Sequence, residues 1–515
     1  MKHPTPAKVL EHLKEAYIKY YDSAFWMRDS KLLDERRSLI SMPGVATQDL
    51  LLELVPPYPA NVDIVKTCAE IGLDQTTANA LREIVFGSTT AQLREHQANA
   101  LATSLSVGSA QKNVVVTSGT GSGKTESFLL PVIARLLNER LGKPQPTLNP
   151  WWEKDWSGSK ITEWNPVRSD SKDSPEPAIR AMLLYPTNAL VEDQISRLRR
   201  AAVTAQEKTN GDPLFYFGRY TGATEGRTWI PPHSLKAADR KKIEEVAKEL
   251  RGISREARSL ENRDPDVRMQ FPDPRCGEML TRWDMIQTPP DILITNISML
   301  NIMLMREIEQ PMFEQTKAWL NKSPDHVFTL IVDELHSYRG TQGTEVAMVV
   351  RNLLDRLGLE PDSDKLRCIG TSASLDGEEG KNYLEQFFGV SKSTFKVEEG
   401  KPLQIEAELP LSKEAVSNIF EAVQSEDEPK IQQVCRENNL AKVIAKACTE
   451  AGAQADGRAV PAKLEEIAKT ALGKEATSEE LEALFTAASI GTGEARSFTN
   501  PEPTFRSHMF IRQIQ

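Results

Sequence analysis

Apolar positions along this 515-residue chain follow two different periods. From residue 1 to about 88 they recur at helical spacing, as in "VLEHLKEAYIKYYDSAFWMRD" and "LLDERRSLI", with a Pro-rich break at "PPYPA". This predicts a helical N-terminal region. From about 89 to 375 the pattern changes to short β-branched runs, each followed by turn residues and a helical segment: "NVVVT", "AMLLYPT", "LFYFGRY", "DILITN", "TLIVDE" and "LRCIGTS". Such alternation predicts an α/β fold, a parallel sheet with helices on both faces. After about 376 the pattern is helical and polar again, through "LSKEAVSNIFEAVQSEDEPKIQQVC" and "PAKLEEIAKTALGKEATSEELEALFTAA", to a final amphipathic or β-like run "PTFRSHMFIRQIQ".

Two stretches interrupt the alternation. Residues from about 142 to 178 hold Trp151, Trp152, Trp156 and Trp164 among Pro, Ser and Lys. These rings suit a platform that stacks bases or a loop packed onto its own domain, and the large area a Trp buries favours packing. The stretch from about 228 to 288 carries "ADRKKIEEVAKELRGISREARSLENRD", whose mixed signs read as a solvated face before a phosphate track.

Composition narrows the class. Apolar residues at 39% and charged residues at 26% fit a soluble globular protein. The N-terminus has no apolar signal core, and no run approaches the roughly 18 apolar residues of a spanning helix, so a cytoplasmic protein is expected. The net charge of -10 argues against wholesale wrapping of nucleic acid but leaves room for a local basic groove. Cys68, Cys276, Cys368, Cys435 and Cys448 form no C-x-x-C pair, so buried, reduced thiols are expected in place of structural zinc or disulfides.

Candidate chemistry is concentrated in "SGTGSGKT", Ser118 to Thr125, between a predicted strand and a predicted helix. The loop Gly119, Thr120, Gly121, Ser122 and Gly123 would close its N–H groups around the phosphates of ATP, at the positive end of the following helix. Lys124 would add a cation, and the Thr125 hydroxyl would ligate Mg²⁺. The pattern ordinarily begins with Gly or Ala; here Ser118, also small, takes that place. The partner of such a loop is an acidic strand end, and "TLIVDELHSYRG" supplies one: Asp333 for Mg²⁺ through its water shell, Glu334 for the attacking water.

Asp-Glu-Leu-His resembles motif II of a DExH-box superfamily 2 helicase, and five further motifs follow the same order. The resemblance implies a RecA-like P-loop domain with insertions. "LREHQ" is similar to the adenine-reading motif and would put Gln97 on the base, with His96 structural. "LLYPTNALVEDQISRLRR" would present Pro186, Thr187 and Asn188 to nucleic-acid phosphates; "GRYTGAT" and "PPDILITNISML" would add Thr221, Gly222, Thr295 and Asn296. "GTSASL" resembles motif III, where Ser372, Ala373 and Ser374, with His336, would couple the triphosphate to the strand. Backbone contacts of this kind position a strand without reading its sequence.

Longer blocks, "YYDSAFWMRDSKLLDERR", "RWDMIQTPPDILITN" and "DELHSYRGTQGTEVAMVVRNLLDRL" among them, resemble the large helicases of prokaryotic anti-phage systems, Druantia ahead of DISARM, and the related MrfA-type repair helicases. The resemblance implies ATP and Mg²⁺ as cofactors, single-stranded DNA or a junction as substrate, other defence subunits as partners, and no membrane. It implies three regions: helical residues 1–88, an ATP-binding domain at 89–375, and a mainly helical 376–515 leading toward a second RecA-like domain. No motifs of that second half follow Leu375, so the expectation is a front half, a fragment or one part of a split protein. Lacking an arginine finger, which contributes roughly 10³ to 10⁵ in turnover, it should hydrolyse ATP slowly; Arg339 is expected to fix the following loop. The alternatives are an ATP-gated switch or scaffold, and a repair or RNA helicase.

Overall fold

The computed structural model describes residues 5–510 apart from 43, 120, 159–160, 187, 210, 228, 374, 376, 455–458 and 492–501, and only the backbone at 188–193, 265–266 and 342. The chain divides into two compact units, one of residues 60–401 and one built from both ends, 1–59 with 402–515.

The first unit is wider than the expected 89–375 at both ends. Helices Ile64–Glu70 and Gln75–Phe86 bury Ile64, Leu81 and Ile84 in the same cluster as Val114 and Val116, which adds them to one face of the sheet. Strand Phe395–Glu399 adds to its edge. The N-terminal region is not purely helical either. Leu51–Val55 pairs antiparallel with Thr504–His508 and with Ala462–Lys463, and this small sheet packs Leu52 against the helices of the second unit.

Eight strands form the large sheet: β1 (Asn113–Thr117), β2 (Ala181–Tyr185), β3 (Phe217–Tyr220), β4 (Glu278–Met279), β5 (Ile292–Asn296), β6 (Phe328–Val332), β7 (Leu366–Ser372) and β8 (Phe395–Glu399). They run in the order β8-β1-β7-β6-β2-β5-β3-β4, and every pair is parallel. A sheet covered on both faces needs strands apolar on both sides, and the core shows it. Val114, Val116, Leu183, Ile294 and Ile331 point to one cluster, while Val115, Met182, Leu184, Leu293 and Leu330 point to the other. Helices α1 (Glu95–Leu105), α2 (Lys124–Arg140) and α3 (Asn188–Glu207) cover the first face.

The tryptophan-rich interruption is packed, not presented. Trp151, Trp152 and Trp156 are at most 1% exposed and Trp164 is 7% exposed. Trp151 meets Trp152, Trp156 and Trp164 edge to face at 5.7 to 6.4 Å. Helix α4 (Ala237–Ser259) clamps this loop: Ile243, Ala247, Leu250, Ser254 and Ala257 form its buried stripe, and Arg251 donates to the Trp152 carbonyl at 2.7 Å. Its charged residues occupy the other faces.

At the amino end of β5, Asp291 is fully buried and accepts hydrogen bonds from Arg140, Arg180 and the Tyr216 N–H, with Arg168 3.3 Å away. Arg180 also pairs with Glu139, and Arg168 with Asp170. Burial pushes the Asp291 carboxyl up, but the three guanidinium groups outweigh it and hold the carboxyl well below its ordinary range. The hub joins α2, the tryptophan loop, β2 and β5 at the amino-terminal edge of the sheet.

All five cysteines are buried as free thiols. No helix among the described residues is long and apolar enough to cross a membrane.

One buried acid makes stability depend on pH. Asp284 accepts from the Trp151 indole at 3.0 Å, the Val167 N–H at 2.7 Å and the Thr281 hydroxyl at 2.7 Å, yet burial pushes it up from 3.8 to about 6. The folded chain therefore holds this proton more tightly than the unfolded chain. Its stabilising contribution is full below pH 3.8 and is lost as pH rises through about 6. Asp284→Asn removes that slope. Urea unfolding followed by tryptophan fluorescence should show wild type losing on the order of 3 kcal/mol relative to the variant between about pH 4 and pH 7; a pH-independent difference would refute the assignment.

Candidate functional site

Because all eight strands are parallel, every strand-to-helix loop that follows a carboxyl end opens at one edge, where ligands bind in such sheets. The strand order sorts these loops into two groups. The glycine loop follows β1, Ser372 ends β7 and Ala373 follows it, and Asp333 and Glu334 follow β6; these three strands are adjacent. Pro186 follows β2, Thr295 and Asn296 end β5, and Thr221 and Gly222 follow β3; these three are adjacent as well.

The glycine loop is held from behind. Three successive carbonyls accept hydrogen bonds from the segment that opens α1: Gly121 from Arg94 Nη1 at 2.9 Å, Ser122 from His96 Nε2 at 2.9 Å, and Gly123 from Gln97 Nε2 at 3.1 Å. Burial lowers His96 to about 4, so at neutral pH the ring is uncharged and Nε2 carries its proton. Gly121 and Gly123 adopt left-handed φ of 80° and 77°. Ser118, standing where Gly is usual, is buried; its hydroxyl meets that of Ser122 and its N–H donates to the Ser372 carbonyl at 3.3 Å. The first turn of α2 then carries Lys124 and Thr125, where unsatisfied N–H groups favour an anion.

Opposite stand the acids. Lys124 Nζ donates to Glu334 Oε1 at 3.3 Å, and the Thr371 hydroxyl donates to Asp333. Burial raises the Asp333 carboxyl, with the Thr371 bond and Lys124 acting against it and the Glu334 charge adding to it. A divalent cation would relieve that penalty, so the residues fit one. No group of three or more His, Cys, Asp or Glu side chains among the described residues converges on a metal. Glu334 is a non-glycine residue in left-handed conformation, φ 53° and ψ 50°, held there by its N–H, which lies 3.1 Å from Asp333 Oδ1 and 3.2 Å from Thr371 Oγ1. His336 Nδ1 lies 3.1 Å from Glu334 Oε2 and 3.5 Å from the Ala373 N–H, between the acid and the end of β7.

The second group offers mostly backbone. The Thr295 hydroxyl is buried and donates to the Tyr220 carbonyl at 2.7 Å. Asn296 caps the helix Ile297–Met305 by accepting from the Met299 N–H at 2.8 Å. Thr221 is buried in a tight turn whose exposed tip is Gly222 and Ala223, and Arg282 holds its carbonyl at 2.7 Å. Thr120, Thr187 and Ser374 lie outside the described residues, as does the side chain of Asn188.

Sequence reasoning gave no role to Arg94, Thr371 or Gln194, and gave His96 only a structural one. Arg94, His96 and Thr371 brace loop and acid as above. Gln194, on α3, donates from Nε2 to Thr125 Oγ1 at 3.0 Å. The "LREHQ", "GTSASL" and "LLYPTNALVEDQISRLRR" motifs contain all four, but nothing local shows which groups Thr371 and Gln194 touch.

Residues 94–213 match the DEAD/DEAH box helicase family. The chain is 30% identical to Druantia protein DruE of Escherichia coli, over 79% of this chain and 23% of that protein, so it spans about a quarter of that relative's length. It is 34% identical to the ATP-dependent helicase HRQ1 of Saccharomyces cerevisiae over 15% of this chain and 7% of that protein. Among solved structures, the DUF1998 helicase MrfA bound to DNA and AMPPNP aligns over 81% of this chain and 42% of that one, with 16% identity and a TM-score of 0.37.

The brace is testable at one glycine. A Cβ at Gly123 would collide with Gln97 Nε2 and come within 2.8 Å of Arg94 Nη1 and 2.9 Å of Glu126 Oε2, whereas Gly108, also left-handed at φ 70°, has open space around it. Gly108→Ala should cost only backbone strain, about 1 kcal/mol. Gly123→Ala should cost the same strain and in addition weaken binding of a fluorescent ATP analogue at least ~10-fold. Equal effects of the two substitutions on analogue binding would show that the brace is dispensable.

Proposed function

We propose, starting from a chain whose residues 94–213 match the DEAD/DEAH box helicase family, that it is the ATP-binding half of a DNA helicase or translocase of prokaryotic anti-phage defence. The observation that supports this most directly is the sorting of loops along one sheet edge: the glycine loop and acids on three adjacent strands, and the expected strand-contact segments on the next three. Hydrolysis at one group can then be felt at the other through a single sheet and the helices it carries.

In this reading the loop from Gly119 to Gly123 cradles the phosphates and Lys124 adds its charge. Thr125 and Asp333 would hold Mg²⁺, which would neutralise charge on the phosphate oxygens. Glu334 orients the attacking water, and its exchange of Lys124 for that water accompanies arrival of the phosphates. Gln97 has a second amide N–H for the base beside the one on Gly123. Pro186, Thr187, Asn188, Thr221, Gly222, Thr295 and Asn296 form the strand track largely through backbone, so little sequence preference is expected. His336, Ser372, Ala373 and Ser374 link the two groups. The likeness to a Druantia protein supports a defence setting with other subunits in the cytoplasm, and the resemblance to anti-phage helicases favours DNA over RNA.

The test measures binding of labelled single-stranded DNA with and without a non-hydrolysable ATP analogue, beside ATP turnover. The analogue should tighten DNA binding at least ~5-fold. Lys124→Ala should abolish that effect, and Glu334→Gln should keep nucleotide binding while losing turnover. DNA binding indifferent to nucleotide, with turnover indifferent to DNA, would replace the motor with an ATP-gated switch. Tighter binding of RNA of the same sequence would reassign the strand.

A further inference from the structure

Helix α3 begins at the segment expected to meet a nucleic-acid strand, and one face of it touches the start of α2. Gln194 reaches Thr125, and Arg197, one turn later, pairs with Glu126. The Gln194 contact is chemically unbalanced. Its amide nitrogen donates to the Thr125 hydroxyl oxygen at 3.0 Å, while its amide oxygen is shielded from solvent and has no hydrogen-bond partner among the described residues. A buried acceptor left unpaired is costly, because it has lost its water without gaining a donor.

A hydroxyl oxygen that ligates a metal gives it a lone pair and must turn its own proton elsewhere. The amide on Thr125 is the group in place to receive that proton. A half-turn of the terminal amide exchanges oxygen and nitrogen at the same position, because the two are nearly isosteric. The oxygen then accepts the Thr125 O–H, the NH2 group takes the place the oxygen held, and the threonine lone pairs are released from the amide N–H.

We propose that Gln194 is a positioning residue for Mg²⁺: its amide turns from donor to acceptor on Thr125 when the metal arrives, and so aims the hydroxyl at the ion. The proposal rests on the reading of Thr125 as a Mg²⁺ ligand. Partners of this kind, which orient a ligand without touching the metal, typically carry 10 to 100-fold in metal affinity. Placed on α3, this one would also make the metal site sensitive to whatever moves that helix.

The experiment titrates Mg²⁺ into the full chain with a fluorescent ATP analogue and reads the Mg²⁺ concentration at half-maximal binding, with metal-free analogue binding as the control for folding. Gln194→Met, which has no acceptor, should raise the Mg²⁺ midpoint about tenfold while metal-free binding stays within about twofold. Gln194→Glu, which can only accept, should restore a midpoint at or below that of wild type. Thr125→Ala should raise the midpoint, and adding Gln194→Met to it should raise it no further. If Thr125→Ala shifts the midpoint and Gln194→Met does not, or if their shifts multiply, the inference about Gln194 is wrong while the metal reading stands. If Thr125→Ala leaves the midpoint unmoved, the metal reading fails and the inference goes with it.

Discussion

A loop that binds phosphate with its N–H groups must turn its carbonyls the other way, into the protein, where each needs a donor. In this chain one short segment meets that demand. Arg94, His96 and Gln97 donate to the carbonyls of Gly121, Ser122 and Gly123 in register. The neutral state of His96 follows from the same geometry, since burial disfavours an imidazolium at that place and the Arg94 charge beside it adds to this. The rest of the site is built outward from this fixed loop: Ser118 ties it to the end of β7, Lys124 reaches the acid after β6, and Thr125 meets α3.

The sheet separates two kinds of charge. Its carboxyl edge carries groups whose partners can be exchanged for a ligand: Lys124 with Glu334, Asp333 with Thr371, His336 between Glu334 and Ala373. Its amino edge carries Asp291 among Arg140, Arg168 and Arg180, fully buried and closed to water. Removing one member of such a network leaves an uncompensated buried charge, which is strongly destabilising, whereas the pair itself contributes little net stability. The hub is therefore best understood as fixing register: it specifies how α2, β2, β5 and the tryptophan loop meet, and so where their opposite ends lie.

How far this was legible in the sequence depended on whether the signal was local. Six strands announce themselves as β-branched runs because both their faces are buried. Phe395–Glu399 does not, since an edge strand tolerates charge, and its Glu398 accepts from Asn99 of α1. Glu278–Met279 is two residues long, and Leu51–Val55 takes its identity from partners at the far end of the chain. The same distinction holds in the site. Lys124, Thr125, Asp333 and Glu334 sit in contiguous motifs, so their meeting could be expected. Thr371 and Gln194 act on residues far away in sequence, and the burial of the Thr295 hydroxyl against Tyr220 depends on a neighbouring strand. Trp151 and its neighbours followed the simpler rule that large apolar area is buried wherever the fold allows.

The small antiparallel sheet at the ends of the chain has a consequence for synthesis. Leu51–Val55 leaves the ribosome early, but its strand partners Ala462–Lys463 and Thr504–His508 come only after the whole of residues 60–401. The parallel-sheet unit can complete its own core meanwhile, because everything it pairs with lies inside that interval. Domains generally fold as units, the earlier before the later; here Leu51–Val55, made before residues 60–401, is placed after them. During that wait Leu52 and its neighbours are an unpaired apolar strand on a nascent chain, the kind of segment that chaperones hold.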